Sequence, residues 1–336
     1  MTKTLISVLE LTRDCNMNCK HCYLPEVYNS HEKEIPLPYL ERIIQKLINF
    51  GINQLDFTGG EPFLYQDLDK FFDYLREVKK ISQIPFIFNT NGLLLLKRKI
   101  RKLVVKNKDL ISQLNISVES GIPEIHNEIR GKGSFKKVLK VIQFCKEEKI
   151  PITISSTIGK YNLSTLDSIF SLLEDLNLNY VGFGLFIPQI NKSGAETFGN
   201  LNREEVKSFC DYLIEQRESG WEIETCSMPY LKFVAPGMEG KCCKIFKEVF
   251  AINYKGQLST CLMEPANLGS LIVKSMEELL ENQKAEEIRN PNLLKSKIKG
   301  KCSTCEKFEE CLGCRFMALR KDHDYYRSDP FCPYHF

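Results

Sequence analysis

The sequence predicts an α/β chain built on a parallel sheet, with a smaller cysteine-rich unit behind it. Three observations carry this. Short β-rich apolar runs alternate with amphipathic helical patterns as far as Phe186, the composition changes after Trp221, and twelve of the 14 cysteines fall in two groups, at 15–22 and 226–332.

The apolar runs are LISVLEL (5–11), INQLDF (52–57), PFIF (85–88), LNISV (114–118), PITISSTI (151–158) and YVGFGLF (180–186). Helical patterns lie between them near 37–50, 66–80, 94–107, 134–149 and 164–176, and another near 202–219 follows the last run. Strand, helix, strand, repeated about six times, implies a parallel sheet with right-handed crossovers. Function in such sheets gathers at the carboxyl ends of the strands. Beyond Trp221, VFAINY-KG-QLSTCL reads as a hairpin turning at Lys255–Gly256, and a helix is expected at about 275–289. The rest of the tail has little regular pattern, so it is expected to lack an apolar core of its own and to need metal staples. The resulting division is 1–220 and 221–336. There is no internal repeat and no low-complexity segment.

Bulk composition narrows the classes. With 336 residues, 43% of them hydrophobic, the chain can bury a large core. A formal charge of +3, from 46 basic and 43 acidic residues, gives no sign of a nucleic-acid partner. The basic run Lys97–Lys108 reads as the wet face of a helix around Ile100, Leu103 and Val104. No stretch is apolar for long enough to cross a bilayer, and the N-terminus lacks a cleavable signal, its short apolar part containing Glu10. A cytoplasmic location follows as the expectation, in a reducing compartment where thiols persist. Clustered cysteines there point to metal. Cys145 and Cys210, set in helical patterns, read as core thiols.

Directly after the first strand comes Cys15-x3-Cys19-x2-Cys22, followed by Tyr23. Three thiolates on one loop suit three corners of a [4Fe–4S] cube and leave one iron open. Zinc is the alternative on spacing alone, although its structural sites take four ligands, often in paired C-x2-C. With TRDCNMNCKHCY and, after the second strand, Thr58-Gly59-Gly60-Glu61-Pro62, the chain resembles the radical S-adenosylmethionine (SAM) superfamily. The resemblance implies a partial (β/α)6 TIM-like barrel. It also implies that Cys15, Cys19 and Cys22 hold the cluster, whose open iron chelates the methionine part of SAM. Gly59, Gly60, Glu61 and Pro62 would support the SAM amino group. Glycines let backbone approach a ligand closely, and a carboxylate can meet an ammonium. Tyr23 would lie against the adenine.

Further matches follow successive strands: Asn89-Thr90-Asn91-Gly92, Ser117-Val118-Glu119-Ser120, HNEIRGKGSFKKVL, Asn162 and Pro188…Gly194. By this likeness Asn91, Ser117 and Glu119 belong to the SAM site, Glu119 standing where the family often carries Asp. Arg130 is the counterpart of an arginine that contacts SAM.

In the tail, Cys243-x12-Gly256-x4-Cys261, then Cys302-x2-Cys305-x5-Cys311-x2-Cys314, and Cys332 complete the pattern. Two C-x2-C pairs read alone also fit a zinc ribbon. With CLGCRFMA and DPFCPY, the tail resembles the SPASM domain, an extension that binds two auxiliary iron–sulfur clusters. Carried over, Cys302, Cys305, Cys311 and Cys332 hold a distal cluster, and Cys243, Cys261 and Cys314 a proximal one. The fourth proximal ligand is Cys242, Cys226 or an open position. Cys242 and Cys243 point in opposite directions on an extended chain.

The implied activity is that of an oxygen-sensitive radical SAM oxidoreductase. Its cofactors are SAM, one catalytic [4Fe–4S] cluster and two auxiliary ones. SPASM enzymes mostly modify peptides or proteins, so peptide side-chain maturation is the leading expectation. Modification of tetrapyrrole side chains in haem-type cofactor synthesis is the second, and a non-enzymatic electron carrier or zinc protein the third. Expected partners are a peptide or small-molecule substrate and an electron donor such as ferredoxin or flavodoxin. Only 14 residues precede Cys15, so leader recognition is expected to come from a separate protein. No membrane partner is expected.

Overall fold

The first strand, β1 (Ile6–Thr12), is buried along almost its whole length and sits inside the sheet with a neighbour on each side. The computed structural model of the protein describes residues 4–24, 33–187, 198–235, 238, 245–262 and 267–334. Eight further strands complete the sheet: β2 (Gln54–Gly59), β3 (Phe86–Thr90), β4 (Gln113–Ser117), β5 (Ile152–Ile158), β6 (Tyr180–Leu185), β7 (Glu222–Cys226), β8 (Val249–Ile252) and β9 (Leu258–Ser259). Their order is β7-β6-β5-β4-β3-β2-β1-β8-β9. Every neighbouring pair is parallel except β8 with β9. The sheet is open, with β7 and β9 at its edges, so the α/β partial-barrel expectation holds.

The helices between the strands are α1 (Leu37–Phe50), α2 (Leu68–Ile81), α3 (Arg98–Lys106), α4 (Pro123–Arg130), α5 (Ser134–Glu147), α6 (Leu166–Asp175) and α7 (Arg203–Glu218). In α1, Leu40, Ile43, Ile44 and Leu47 form one buried stripe, and Gly51 closes the helix at φ 101°. The same stripe logic buries Phe71, Phe72, Leu75 and Val78 of α2. These residues join the strands in one contiguous core, which also holds Cys145 and Cys210, both 0% exposed. The basic run behaves as expected: α3 buries Val104 and turns its lysines and arginines to water.

Four differences from the sequence reading have physical causes. The pattern near 94–107 breaks into a 3-10 turn (Leu93–Leu96) and α3. The unexpected α4 buries only His126 and Ile129, too thin an apolar stripe to stand out. The seventh parallel strand, β7, pairs with β6 although only Ile223 and Thr225 of its five residues are buried, as suits a short edge strand. The expected helix over 275–289 is two, α8 (Met276–Leu280) and α9 (Gln283–Arg289). Asn282 accepts a hydrogen bond from the backbone N–H of Lys284 and starts the second afresh.

The hairpin does turn at Lys255–Gly256, with Gly256 at φ 69° and Asn253 N–H bonded to Gln257 O at 3.0 Å. Its first strand pairs with β1, so the hydrogen-bonded sheet runs across position 220 on both flanks. The tail continues as α10 (Pro291–Lys295), α11 (Lys301–Thr304), α12 (Phe308–Cys311) and α13 (Arg315–Asp322). It has a small apolar cluster of its own, Leu294, Ile298, Phe308 and Leu312, which corrects the expectation of none. These residues come from separate short segments, so no periodicity announces them. Among the described residues no helix is long and apolar enough to cross a membrane.

Candidate functional site

The loop bearing Cys15, Cys19 and Cys22 leaves the carboxyl end of β1 and is clamped by the turn that ends β2. Gly60 N–H donates to Thr12 O at 2.7 Å, and Glu61 N–H to Asp14 O at 2.8 Å. A Cβ on Gly60 would stand 2.3 Å from Asp14 O, and one on Gly59 2.1 Å from Thr12 O. Both glycines are therefore required by backbone packed on backbone, whatever else the turn approaches. Pro62 opens the 3-10 turn that follows.

Glu61 is fully buried and its carboxylate is held inside the protein. It accepts from Thr90 Oγ1 at 2.6 Å, Asn91 N at 2.9 Å and Phe63 N at 3.3 Å. Burial outweighs these donors and pushes its pKa up to about 7. Asn91 links this turn to the cysteines: its Nδ2 donates to Asn16 Oδ1 at 2.9 Å and lies 3.9 Å from Cys15 Sγ. Ser117, at the end of β4, donates to Thr90 O at 3.4 Å.

On the other side of the loop stands a buried ionic group. Glu119 Oε1 accepts from Arg130 Nε at 2.6 Å and meets His21 Nε2 at 3.1 Å, while Oε2 accepts from Thr157 N at 2.7 Å. Burial alone would raise the Glu119 pKa, but Arg130 and His21 hold it well below the carboxylate range. Arg130 also reaches Cys19, with Nη1 3.9 Å from Sγ, and so places a cation beside a thiol of the trio. Asn162 fixes the back of the group by donating to Glu119 O at 2.7 Å. His21 escaped the sequence reading. Its place between two motif cysteines, Cys19-Lys20-His21-Cys22, is the signal that marks it. Tyr23 is half-buried, and burial together with Glu10 and Cys22 raises its pKa.

Cys15 is exposed, Cys19 buried and Cys22 between the two. Among the described residues no three His, Cys, Asp or Glu side chains gather as the ligands of a single ion would. Three thiols on one loop, with amide and guanidinium donors at two of the sulfurs, fit the ligation of an iron–sulfur cluster.

The tail makes a second centre. Cys302, Cys305, Cys311 and Cys332 line one cavity of about 410 Å³. Asp329 N–H lies 3.4 Å from Cys302 Sγ, and the buried Asp329 carboxylate accepts from Cys314 N at 2.7 Å and Phe331 N at 3.0 Å. Burial, then the charges of Asp329, Cys302 and Cys305, push Cys311 up to about 12. Four thiols facing one cavity suit metal ligands. Cys314 is buried beside this cavity without lining it, Cys261 follows β9 half-buried, and Cys226 is exposed at the end of β7. Cys242, Cys243 and the segment Pro188…Gly194 lie outside the described residues.

A profile of the radical SAM superfamily matches residues 9–189, and one of an iron–sulfur cluster-binding domain, SPASM, matches residues 242–306. The chain is 24% identical to the AdoMet-dependent heme synthase of Methanosarcina barkeri, over 97% of this chain and 95% of the relative. It is 23% identical to the antilisterial bacteriocin subtilosin biosynthesis protein AlbA of Bacillus subtilis, over 97% of this chain and 70% of that one. Among solved structures it superposes on native anSMEcpe with bound AdoMet and Cp18Cys peptide at a TM-score of 0.75. That pair shares 21% identity over 97% of this chain and 93% of the other.

Proposed function

We propose, for a chain that belongs to the radical SAM superfamily and carries a SPASM iron–sulfur domain, that it modifies a side chain of a peptide or protein substrate. It is a SAM-dependent iron–sulfur enzyme, with a [4Fe–4S] cluster and SAM in the barrel and auxiliary iron–sulfur in the tail. When bound, the catalytic cluster supplies the electron that cleaves SAM, which yields a radical able to abstract hydrogen from the substrate.

In this reading Cys15, Cys19 and Cys22 hold the catalytic cluster. Gly59, Gly60, Glu61 and Pro62, pressed on the cysteine loop by backbone hydrogen bonds, would support the SAM amino group, with the Glu61 carboxylate steadied by Thr90 and Asn91. Tyr23, Asn91, Ser117, Glu119 and Arg130 surround SAM, with Glu119 orienting the guanidinium beside Cys19. Cys302, Cys305, Cys311 and Cys332 hold one auxiliary cluster, and Cys243, Cys261 and Cys314 contribute to another. A ferredoxin or flavodoxin would deliver the electron.

The observation that carries the peptide reading is the likeness, over 97% of the chain, to a structure with bound AdoMet and a bound peptide. The biosynthesis protein for subtilosin, a bacteriocin, adds weight. A second reading, modification of tetrapyrrole side chains, is favoured by the heme synthase, which this chain matches over 95% of its length. Anaerobic turnover with SAM and reductant separates the two. Short peptides encoded beside the gene should accelerate 5′-deoxyadenosine formation and acquire a mass change. If only a porphyrin bearing carboxylated side chains does so, the tetrapyrrole reading replaces the peptide one.

A further inference from the structure

Tyr230 lies in a short 3-10 turn (Pro229–Phe233) just beyond β7, where the sheet hands the chain to the tail. It is 0% exposed and is among the largest fully buried side chains. Its hydroxyl has no hydrogen-bond partner among the described residues. A buried hydroxyl left unpaired is destabilising, and native proteins leave few of them. The ring lines the same cavity as Cys302, Cys305, Cys311 and Cys332, and stands 6.0 Å from the ring of Tyr334, which lines it too. Burial, then the charges of Asp329, Cys210, Cys332 and Cys314, hold its pKa well above the ordinary tyrosine value, so it stays a donor.

A cavity walled by four cysteine sulfurs offers sulfur acceptors once it is filled. We infer that the Tyr230 hydroxyl donates a hydrogen bond to a sulfur of the group held in the Cys302/Cys305/Cys311/Cys332 cavity, and so raises that group's reduction potential. The inference rests on reading those four cysteines as the ligands of one auxiliary cluster. Hydrogen bonds to cluster sulfurs stabilise the more negative, reduced state, and are among the levers by which proteins set these potentials. Arg315, whose Nε and Nη2 are also buried without partners among the described residues, sits behind Gly313, which lines the same cavity. Its Nη1 holds the carbonyls of Tyr325 and Arg327, so substituting it would disturb the backbone as well.

The test is Tyr230→Phe, which removes the hydroxyl and keeps the ring. In an anaerobic redox titration followed by EPR, one auxiliary signal should shift to lower potential with iron content unchanged. At a fixed poise its reduced-to-oxidised ratio should fall about tenfold, the worth of one hydrogen bond to a charged group. The apoprotein gives a second readout of opposite sign. Without iron the variant should melt no lower than the parent, because it has lost an unpaired hydroxyl, whereas with iron it should melt lower. An unchanged potential would overturn the inference. An equal loss of melting temperature with and without iron would overturn it too, since the hydroxyl would then have a partner in the protein. Cys305→Ala, measured alongside, isolates the premise. If that variant keeps its full iron complement, the cluster assignment fails, and the inference falls with it for that separate reason.

Discussion

Glu61 and Glu119 are both fully buried carboxylates at the carboxyl end of the sheet, and their surroundings drive them in opposite directions. Glu61 has only neutral donors in contact, and its pKa rises from 4.5 to about 7. Its contribution to stability is fully present below pH 4.5 and is lost as pH climbs through 7, on the order of 3 kcal/mol in all. Apoprotein melting followed from pH 5 to 8 should show this fall, and Glu61→Gln should flatten it. An equally steep profile in the variant would place the titration elsewhere. Glu119 is the reverse case, ionised through Arg130 and His21, so its stabilisation is present above the ordinary carboxylate range and fades as pH falls. Arg130→Met strands that charge and should lower stability at pH 7 by about 3–5 kcal/mol. The deficit should shrink toward pH 5 as Glu119 takes up a proton. A deficit independent of pH would point to lost packing instead.

The decisive element contact is the β2 turn against the cysteine loop. Gly60 has Asp14 O and Arg13 O within 2.6 Å of where a Cβ would stand, and both are backbone atoms that cannot swing aside. Gly60→Ala should therefore displace the loop at a cost of about 1–3 kcal/mol. It should also reduce iron by roughly four per chain, the content of one cubane, while the tail keeps its iron. Iron analysis with EPR measures both, and full occupancy of the N-terminal site in this variant would show that the loop can yield. The Gly-Gly-Glu-Pro string was legible in the sequence, as was the strand before it. What the glycines do was not, because the residues they pack on lie about 45 positions earlier, in a loop whose path no local pattern reveals. Helix limits failed for a related reason: Asn282 stops one helix and starts the next, a side-chain choice invisible to apolar periodicity.

Across the whole molecule the tail is joined to the barrel through two kinds of contact. Cys314, Phe316, Met317 and Phe331 belong to the main core, whereas Leu294, Ile298, Phe308 and Leu312 form a four-residue satellite. Four apolar side chains are few for an independent unit, so the cysteine cavity between them should act as the staple. Cys305→Ala and Cys332→Ala are expected to lose one cluster and to open the 299–334 segment to trypsin, while the barrel stays resistant. Limited proteolysis with mass mapping follows this, and a tail as resistant as the parent's would mean that the satellite suffices. Cys226→Ala, at an exposed position, should leave the digestion pattern unchanged.

The sequence by itself determined the alternation of strand and helix, the cysteine spacings and the turn after β2. Each of these is written in residues close together in the chain, as periodicity, turn chemistry or ligand spacing. Only the tertiary structure decided that β7 and β8 extend the barrel sheet past residue 220. It alone set Arg130 and His21 on Glu119, and put Tyr230 in the wall of the cavity that the four grouped tail cysteines line. Those outcomes depend on pairings between residues tens to hundreds of positions apart. Such pairings are fixed by burial and by the satisfaction of buried polar groups, forces that act through space and leave no period in the sequence.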